Sequence, residues 1–175
     1  MKTLLLLRHA KAESPAATAK RGQAGDKDRR LDPRGQEDCV KIGAYLSTQD
    51  YTPDLIAAST AARTMETMEC IASRFAATTT TSLDDFYLAS SITLLRHIHT
   101  LDDSLACTMI IGHNPGMHEL ACSLAAQTLP TDLMTDLKNH FPTCALAVIN
   151  FDQPSWGLCD AGDGALVDFI YPKML

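Results

Sequence analysis

Leu4-Leu5-Leu6-Leu7-Arg8-His9-Ala10 is the stretch on which the fold turns. Four consecutive apolar residues closed by a charge read as a short strand buried on both faces. The chain leaves the sheet where that run ends, so Arg8 and His9 are delivered to the carboxyl end of a strand. The arrangement recurs twice downstream. Asp54 to Ala58 reads as a second strand and runs into Ser59-Thr60-Ala61-Ala62-Arg63-Thr64. Thr108 to Ile111 reads as a third and runs into Gly112-His113-Asn114-Pro115-Gly116.

Helical patterns separate these strands. Asp32 is suited to cap a helix with Pro33 in its first turn, and Cys39, Ile42 and Leu46 form its apolar stripe. Ser59 or Thr60 is expected to cap the next, with Met65, Met68, Ile71 or Ala72, and Phe75 on its buried face. The threonines at 78–81 suit an extended segment. Ser90 or Ser91 opens a helix carrying Leu94, Leu95, Ile98 and Leu101. Asn114 as cap and Pro115 as first residue open another, with Met117, Leu120, Ala121 and Leu124 inward. A short helix is expected near 132–140. Ala145 to Phe151 and Ala165 to Tyr171 read as two late strands joined by a short polar link, and residues 11–30 as a long polar loop. Strands alternating with helices predict an α/β fold: a three-layer, doubly wound, mostly parallel sheet with helices on both faces and one antiparallel edge. No repeat or linker divides the chain, so residues 1–175 are expected to form one domain.

Composition narrows the function classes. The formal charge is 15 − 21 = −6, which disfavours nucleic acid and acidic membranes as partners. A phosphate site on such a chain needs locally concentrated positive charge. The six cysteines are dispersed without a CxxC pair, a pattern that suits reduced thiols and a cytoplasmic protein. The apolar run near the start stops at Arg8, too short for a signal peptide, and no stretch approaches the about 20 apolar residues of a membrane span.

In an open α/β sheet the carboxyl ends of parallel strands share one rim, where ligands bind. Arg8, His9, Arg63 and His113 are therefore expected to converge. That set suits phosphoryl transfer, in which catalysis is mainly positioning and charge stabilisation. Guanidinium forks match phosphate oxygens, and Arg63 lies near a helix N-terminus, which favours an anion. A neutral histidine with one ring N–H held by an acceptor can attack phosphorus through its other nitrogen.

These blocks carry a family resemblance. Arg8-His9-Ala10 after a Leu-rich strand resembles the Arg-His-Gly/Ala signature of the histidine phosphatase superfamily. Asp28-Arg29-Arg30-Leu31-Asp32-Pro33-Arg34-Gly35 resembles the Asp-x-x-Arg-Pro-Leu-Thr-x-x-Gly-like stretch of its small SixA-type phosphohistidine phosphatases. Ser59-x-x-x-Arg63-Thr64 and Gly112-His113-Asn114-Pro115-Gly116 resemble two further blocks, and Pro142-Thr143-Cys144-Ala145 and Phe169-Ile170-Tyr171-Pro172-Lys173 also fit. The resemblance implies a phosphoglycerate mutase-like fold with His9 as nucleophile and Arg8, Arg63 and His113 as phosphate-binding catalytic residues. His113 would also donate a hydrogen bond in the transition state. It implies no metal and no cofactor. The implied partner is a phosphohistidine-bearing protein or a small phosphorylated metabolite. Arg30 and Asp32 depart from the pattern, which usually has proline and threonine there.

Competing readings remain beside this one. The same four residues would serve a small-molecule phosphomonoesterase, or a silent phosphate- or phosphoprotein-binding module. A mutase is disfavoured because no extra segment is present to retain an intermediate. Taken alone, Arg63 would pair with Glu66 or Glu69 on its helix. His97 and His99 lie two apart and face different ways, and His118-Glu119 lacks the HExxH order. Asp85 is a weak candidate general acid, so the proton donor stays unassigned. Asp28 is a candidate for orienting the 11–30 loop over the pocket, and the site is expected to lie open to a protein side chain.

Overall fold

The computed structural model describes residues 1–23, 25–125 and 132–175. Among them, strands β1 (Lys2–Arg8), β2 (Leu55–Ser59), β3 (Thr79–Leu83), β4 (Cys107–Gly112), β5 (Leu146–Phe151) and β6 (Gly164–Ile170) form one sheet. Its order is β3-β2-β4-β1-β5-β6. The first four strands in that order run parallel, and β5 is antiparallel to both β1 and β6. The mixed α/β architecture with one antiparallel side is as the sequence predicts.

The leucine run shows why the sheet is central. Successive strand residues point to opposite faces, so Leu4 and Leu6 enter one core and Leu5 and Leu7 the other, all four fully buried. On the first face pack helices α4 (Ser91–Ile98), α5 (Gly116–Leu124) and α6 (Asp132–Asn139), through Leu94, Met117, Leu120 and Leu137. On the second pack α2 (Pro33–Thr48) and α3 (Ala62–Ala72), through Cys39, Ile42, Leu46, Met68 and Ile71. No helix among the described residues is long and apolar enough to cross a membrane. All six cysteines are free thiols.

Several local expectations are corrected. Residues 11–30 are not simply a loop: Pro15–Lys20 form helix α1, capped by Ser14, and Asp26–Asp28 form a 3-10 turn. A Ser-Pro pair at a helix start is the signal that polarity masked. This excursion is clamped at its base by a bridge between Ala12 and Leu31. Helix α3 is capped by neither Ser59 nor Thr60, since Ala61 holds the cap position. Ser59 turns to His113 instead, and Thr60 donates to Asp84. Phe75 and Leu101 lie beyond the ends of α3 and α4. Asn114 does not cap α5, because its side-chain amide donates to the Phe141 carbonyl and the helix starts at Gly116. The link between β5 and β6 contains a 3-10 turn with fully buried Trp156.

Candidate active site

Strand register builds the site. β4 lies between β1 and β2, with Arg8 opposite Gly112 and Ala58 opposite Ile111. His9, His113 and Ser59, each one residue past a registered position, therefore emerge side by side at the carboxyl rim. The backbone N–H of His9 donates to the Gly112 carbonyl at 3.1 Å. Cys144, buried and held at a φ of 59°, donates its N–H toward the carbonyls of both Arg8 (3.2 Å) and His9 (3.1 Å). A non-glycine residue in the left-handed region marks a strained position held by its surroundings; here that position fixes the strand end bearing His9. Thr67 completes the scaffold. Its hydroxyl donates to the Arg63 carbonyl at 2.7 Å and accepts from the Ala10 N–H at 3.1 Å, tying β1 to α3.

The rings of His9 and His113 lie 5.1 Å apart, tilted by 56°. His9 is 9% exposed. Its Nδ1 lies 2.7 Å from the Ala10 carbonyl; a carbonyl only accepts, so Nδ1 carries the proton and Nε2 holds a free lone pair. Burial pushes the His9 pKa down to about 3, helped by the nearby His113, Arg63 and Arg8 and only partly opposed by the Ala10 hydrogen bond. The ring is thus neutral near pH 7. His113 is lowered to about 4, first by burial and then by Arg63. Its Nδ1 accepts from Arg63 at 3.3 Å, which leaves Nε2–H to donate to the Ser59 hydroxyl at 2.9 Å. Both nitrogens of His113 are therefore engaged within the protein.

The guanidinium groups frame the two rings. Arg8 donates to the Phe141 carbonyl at 2.9 Å, and its buried Nε finds no hydrogen-bond partner among the described residues. Arg63, 3% exposed, pairs with neither Glu66 nor Glu69. It donates through Nη1 to the Asp26 carbonyl at 2.7 Å and through Nη2 to Asp26 Oδ2 at 2.9 Å. Glu66 instead accepts from the Leu31 N–H at 2.7 Å and pins the base of the 12–31 excursion. Together these groups line an open cleft of about 490 Å³ with Lys11, Arg29, Leu88 and Thr143.

The structure brings His9, Arg8, Arg63 and His113 together, as the sequence predicts. Asp26, Arg29 and Tyr87 are the neighbours that sequence reasoning missed. Asp28 is not among the residues lining the cleft; it accepts from the Gly25 N–H at 3.3 Å and so closes the local turn of the 11–30 segment. Asp26, two residues earlier, is the carboxylate that reaches the cleft. Asp85 lies apart, in a separate cavity with Phe86, Arg96 and His97. The other histidines have their own surroundings: His97 packs on Phe86, while His99 and His118 bond the carbonyls of Cys159 and Leu137. A smaller cavity of about 170 Å³, lined by Arg34, Asp38, His140 and Tyr171, touches the cleft at Thr143 but holds neither site histidine.

A cleft at the carboxyl rim of the parallel strands, with a neutral histidine among cations, is the arrangement expected of a protein that handles phosphoryl groups. Comparison with known proteins agrees. The model of the histidine phosphatase superfamily (branch 1) matches residues 4–87. A candidate phosphohistidine phosphatase SixA from Agrobacterium tumefaciens is 31% identical, with a TM-score of 0.78 and 98% of each chain covered. A second structure of that description, from Nakamurella multipartitia, has a TM-score of 0.82 at 24% identity, covers 98% of this chain and 96% of its own, and shows the shared fold. An uncharacterised protein of Mycobacterium leprae is 28% identical over 167 residues, which is 95% of this chain and 100% of the relative. This chain belongs to the histidine phosphatase superfamily, and within it to the SixA type.

Proposed function

We propose that the chain is a protein phosphohistidine phosphatase that forms a phosphoenzyme on His9 and needs no metal ion. The observation that carries this reading is the state of His9: neutral, its Nδ1–H spent on Ala10, and its Nε2 free among Arg8, Arg63 and His113. Arg8 and Arg63 would hold the phosphoryl oxygens and offset their charge. His9 Nε2 attacks phosphorus, the bond from phosphorus to the leaving atom breaks, and that atom keeps the electron pair. Water then attacks the phosphoenzyme, and the pair of the second broken bond returns to His9. When the phosphoryl dianion arrives, it favours protonation of His113 Nδ1, which would then donate to a phosphoryl oxygen in place of accepting from Arg63.

Leaving-group chemistry supports phosphohistidine over phosphomonoesters. An alkoxide leaves well only if it is protonated. Among the described residues the one carboxylate lining the cleft is Asp26, and residues 24 and 126–131 contain no acid. Burial tends to raise the Asp26 pKa, but hydrogen bonds from Tyr87, Arg29 and Arg63 outweigh it and hold the group well below the usual carboxylate range. It is ionised and is no proton donor. The imidazole of a phosphohistidine protonated on its far nitrogen departs as a neutral ring and needs no such donor. The mouth of the cleft carries exposed Lys11 and Leu88, which leaves room for a substrate that is itself a protein side chain.

The test is turnover of a histidine-phosphorylated carrier protein in EDTA, with p-nitrophenyl phosphate alongside, for wild type and His9→Ala. The expected result is rapid loss of carrier phosphate with wild type, acid-labile label on the enzyme, and a drop of more than about 10³-fold in the mutant. Turnover of the ester but not the carrier would move the assignment to a small-molecule phosphomonoesterase. Turnover of neither, with phosphate still bound, would point to a binding module.

A further inference from the structure

Asp26 is out of place in a cleft meant for an anion. Arg8, Lys11, Arg29 and Arg63 line the same space, and Asp26 is the one negative side chain among them in the described residues. Its position is well defined. Oδ2 accepts from Arg63 Nη2 at 2.9 Å and from the Tyr87 hydroxyl at 2.8 Å, and Oδ1 accepts from Arg29 at 3.0 Å. Its backbone carbonyl takes Arg63 Nη1 at 2.7 Å. Both terminal nitrogens of the most buried cation in the cleft are therefore engaged by one residue. The Arg63 side chain is 4% exposed, whereas that of Asp26 is 46% exposed. The carboxylate closes over the arginine from the solvent side, where an incoming anion must approach.

We infer that Asp26 is a resident counter-ion of Arg63, competing with the phosphoryl group for that guanidinium and setting how loosely inorganic phosphate is held after each turnover. The inference rests on reading the cleft as a phosphoryl site and assigns Asp26 a role that this reading leaves open. The physical argument is charge exchange. A dianion reaching Arg63 either displaces the carboxylate or lies beside it, and either event costs free energy that a neutral residue at position 26 would not exact. Substrate and product both incur that cost. For a phosphatase it is useful, because phosphate is always the product and a cleft whose arginines had no counter-ion would retain it. Asp26 is suited to this exchange because its carboxylate is half-exposed while the 3-10 turn that carries it is held in place, at the base of the excursion by the Ala12–Leu31 bridge and the Glu66 hydrogen bond to Leu31 and at its tip by Lys27 bonding Asp84 at 2.7 Å, so the side chain can yield the guanidinium without the turn moving.

The test is calorimetric titration of inorganic phosphate into wild type, Asp26→Asn, Asp26→Ala and Arg63→Ala, with steady-state turnover of a phosphorylated substrate. Asparagine keeps the size and one acceptor oxygen but removes the charge. Loss of a charged competitor hydrogen bond predicts phosphate binding about tenfold or more tighter in Asp26→Asn, with KM and kcat falling together as product release slows. Asp26→Ala should move in the same direction. Phosphate binding that is unchanged or weaker in both variants, with unfolding temperatures preserved, would overturn the inference and make Asp26 a brace that only positions Arg63. The phosphoryl-site reading fails separately, and is recognised by phosphate binding that Arg63→Ala leaves intact.

Discussion

A single hydrogen bond decides what His9 can do. The Ala10 carbonyl fixes the proton on Nδ1, and burial keeps the ring from taking a second one until the pH nears about 3. Nitrogen NMR of the ring should therefore show no His9 titration between about pH 5 and 8, where an exposed histidine titrates. A midpoint near 6.5 would refute the buried, neutral state of the ring. Stability follows the same logic. The unfolded chain binds these protons near its ordinary pKa of about 6.5, while folded His9 and His113 resist until about 3 and 4. Below about pH 6.5 the unfolded state therefore binds more protons, so the stability these rings allow is full above that pH and declines below it. The unfolding temperature should fall from pH 7 to 4, and His9→Gln should flatten the slope; an equally steep slope in the mutant would contradict it.

Between elements, the site depends on short polar ties rather than on helix propensity. Thr67 is fully buried on α3, and its one hydroxyl serves the end of β1 and the carbonyl of Arg63. Thr67→Val keeps the shape but leaves the Ala10 N–H without its acceptor. A buried donor left unpaired costs about 1–3 kcal/mol. The urea midpoint of Thr67→Val should fall accordingly with an unchanged slope, and turnover should fall because His9 and Arg63 lose their common anchor. A midpoint equal to wild type would show that the tie contributes little. Gly35 plays a related part on α2: a Cβ there would lie 2.1 Å from the Lys11 carbonyl oxygen, so only glycine lets the helix start close against the base of the 12–31 excursion.

At the scale of the whole molecule, charge is distributed unevenly. The chain carries −6 overall, yet the cleft is lined by four cationic side chains against one carboxylate. Such a focus of positive potential attracts anions, and salt weakens it as the Debye length shrinks from about 10 Å at 0.1 M to about 3 Å at 1 M. The kcat/KM for a phosphorylated carrier should decline several-fold over that range, chiefly through KM. A salt-independent value would mean that the cleft does not steer its substrate electrostatically.

From sequence alone follow the alternation of strands and helices, the apolar run buried on both faces, the placement of Arg8, His9 and His113 at strand ends and that of Arg63 in the first turn of the helix after β2. Those features are local: an apolar run, a cap, a charged residue just past a strand. The sequence also carried the motif pattern that marks the superfamily. It did not determine that Asp26, rather than Asp28 or Asp85, reaches Arg63, nor that Ser59 serves His113 rather than capping a helix. Asp26 and Arg63 stand far apart along the chain, and their meeting depends on how the 12–31 excursion folds back across the rim. No periodicity encodes that path, because it follows from the Ala12–Leu31 bridge, the Glu66 contact to Leu31 and the Arg29 and Tyr87 bonds acting together. Which acidic side chain of a polar segment faces inward is set by long-range contacts, since all of them look alike until the segment is closed.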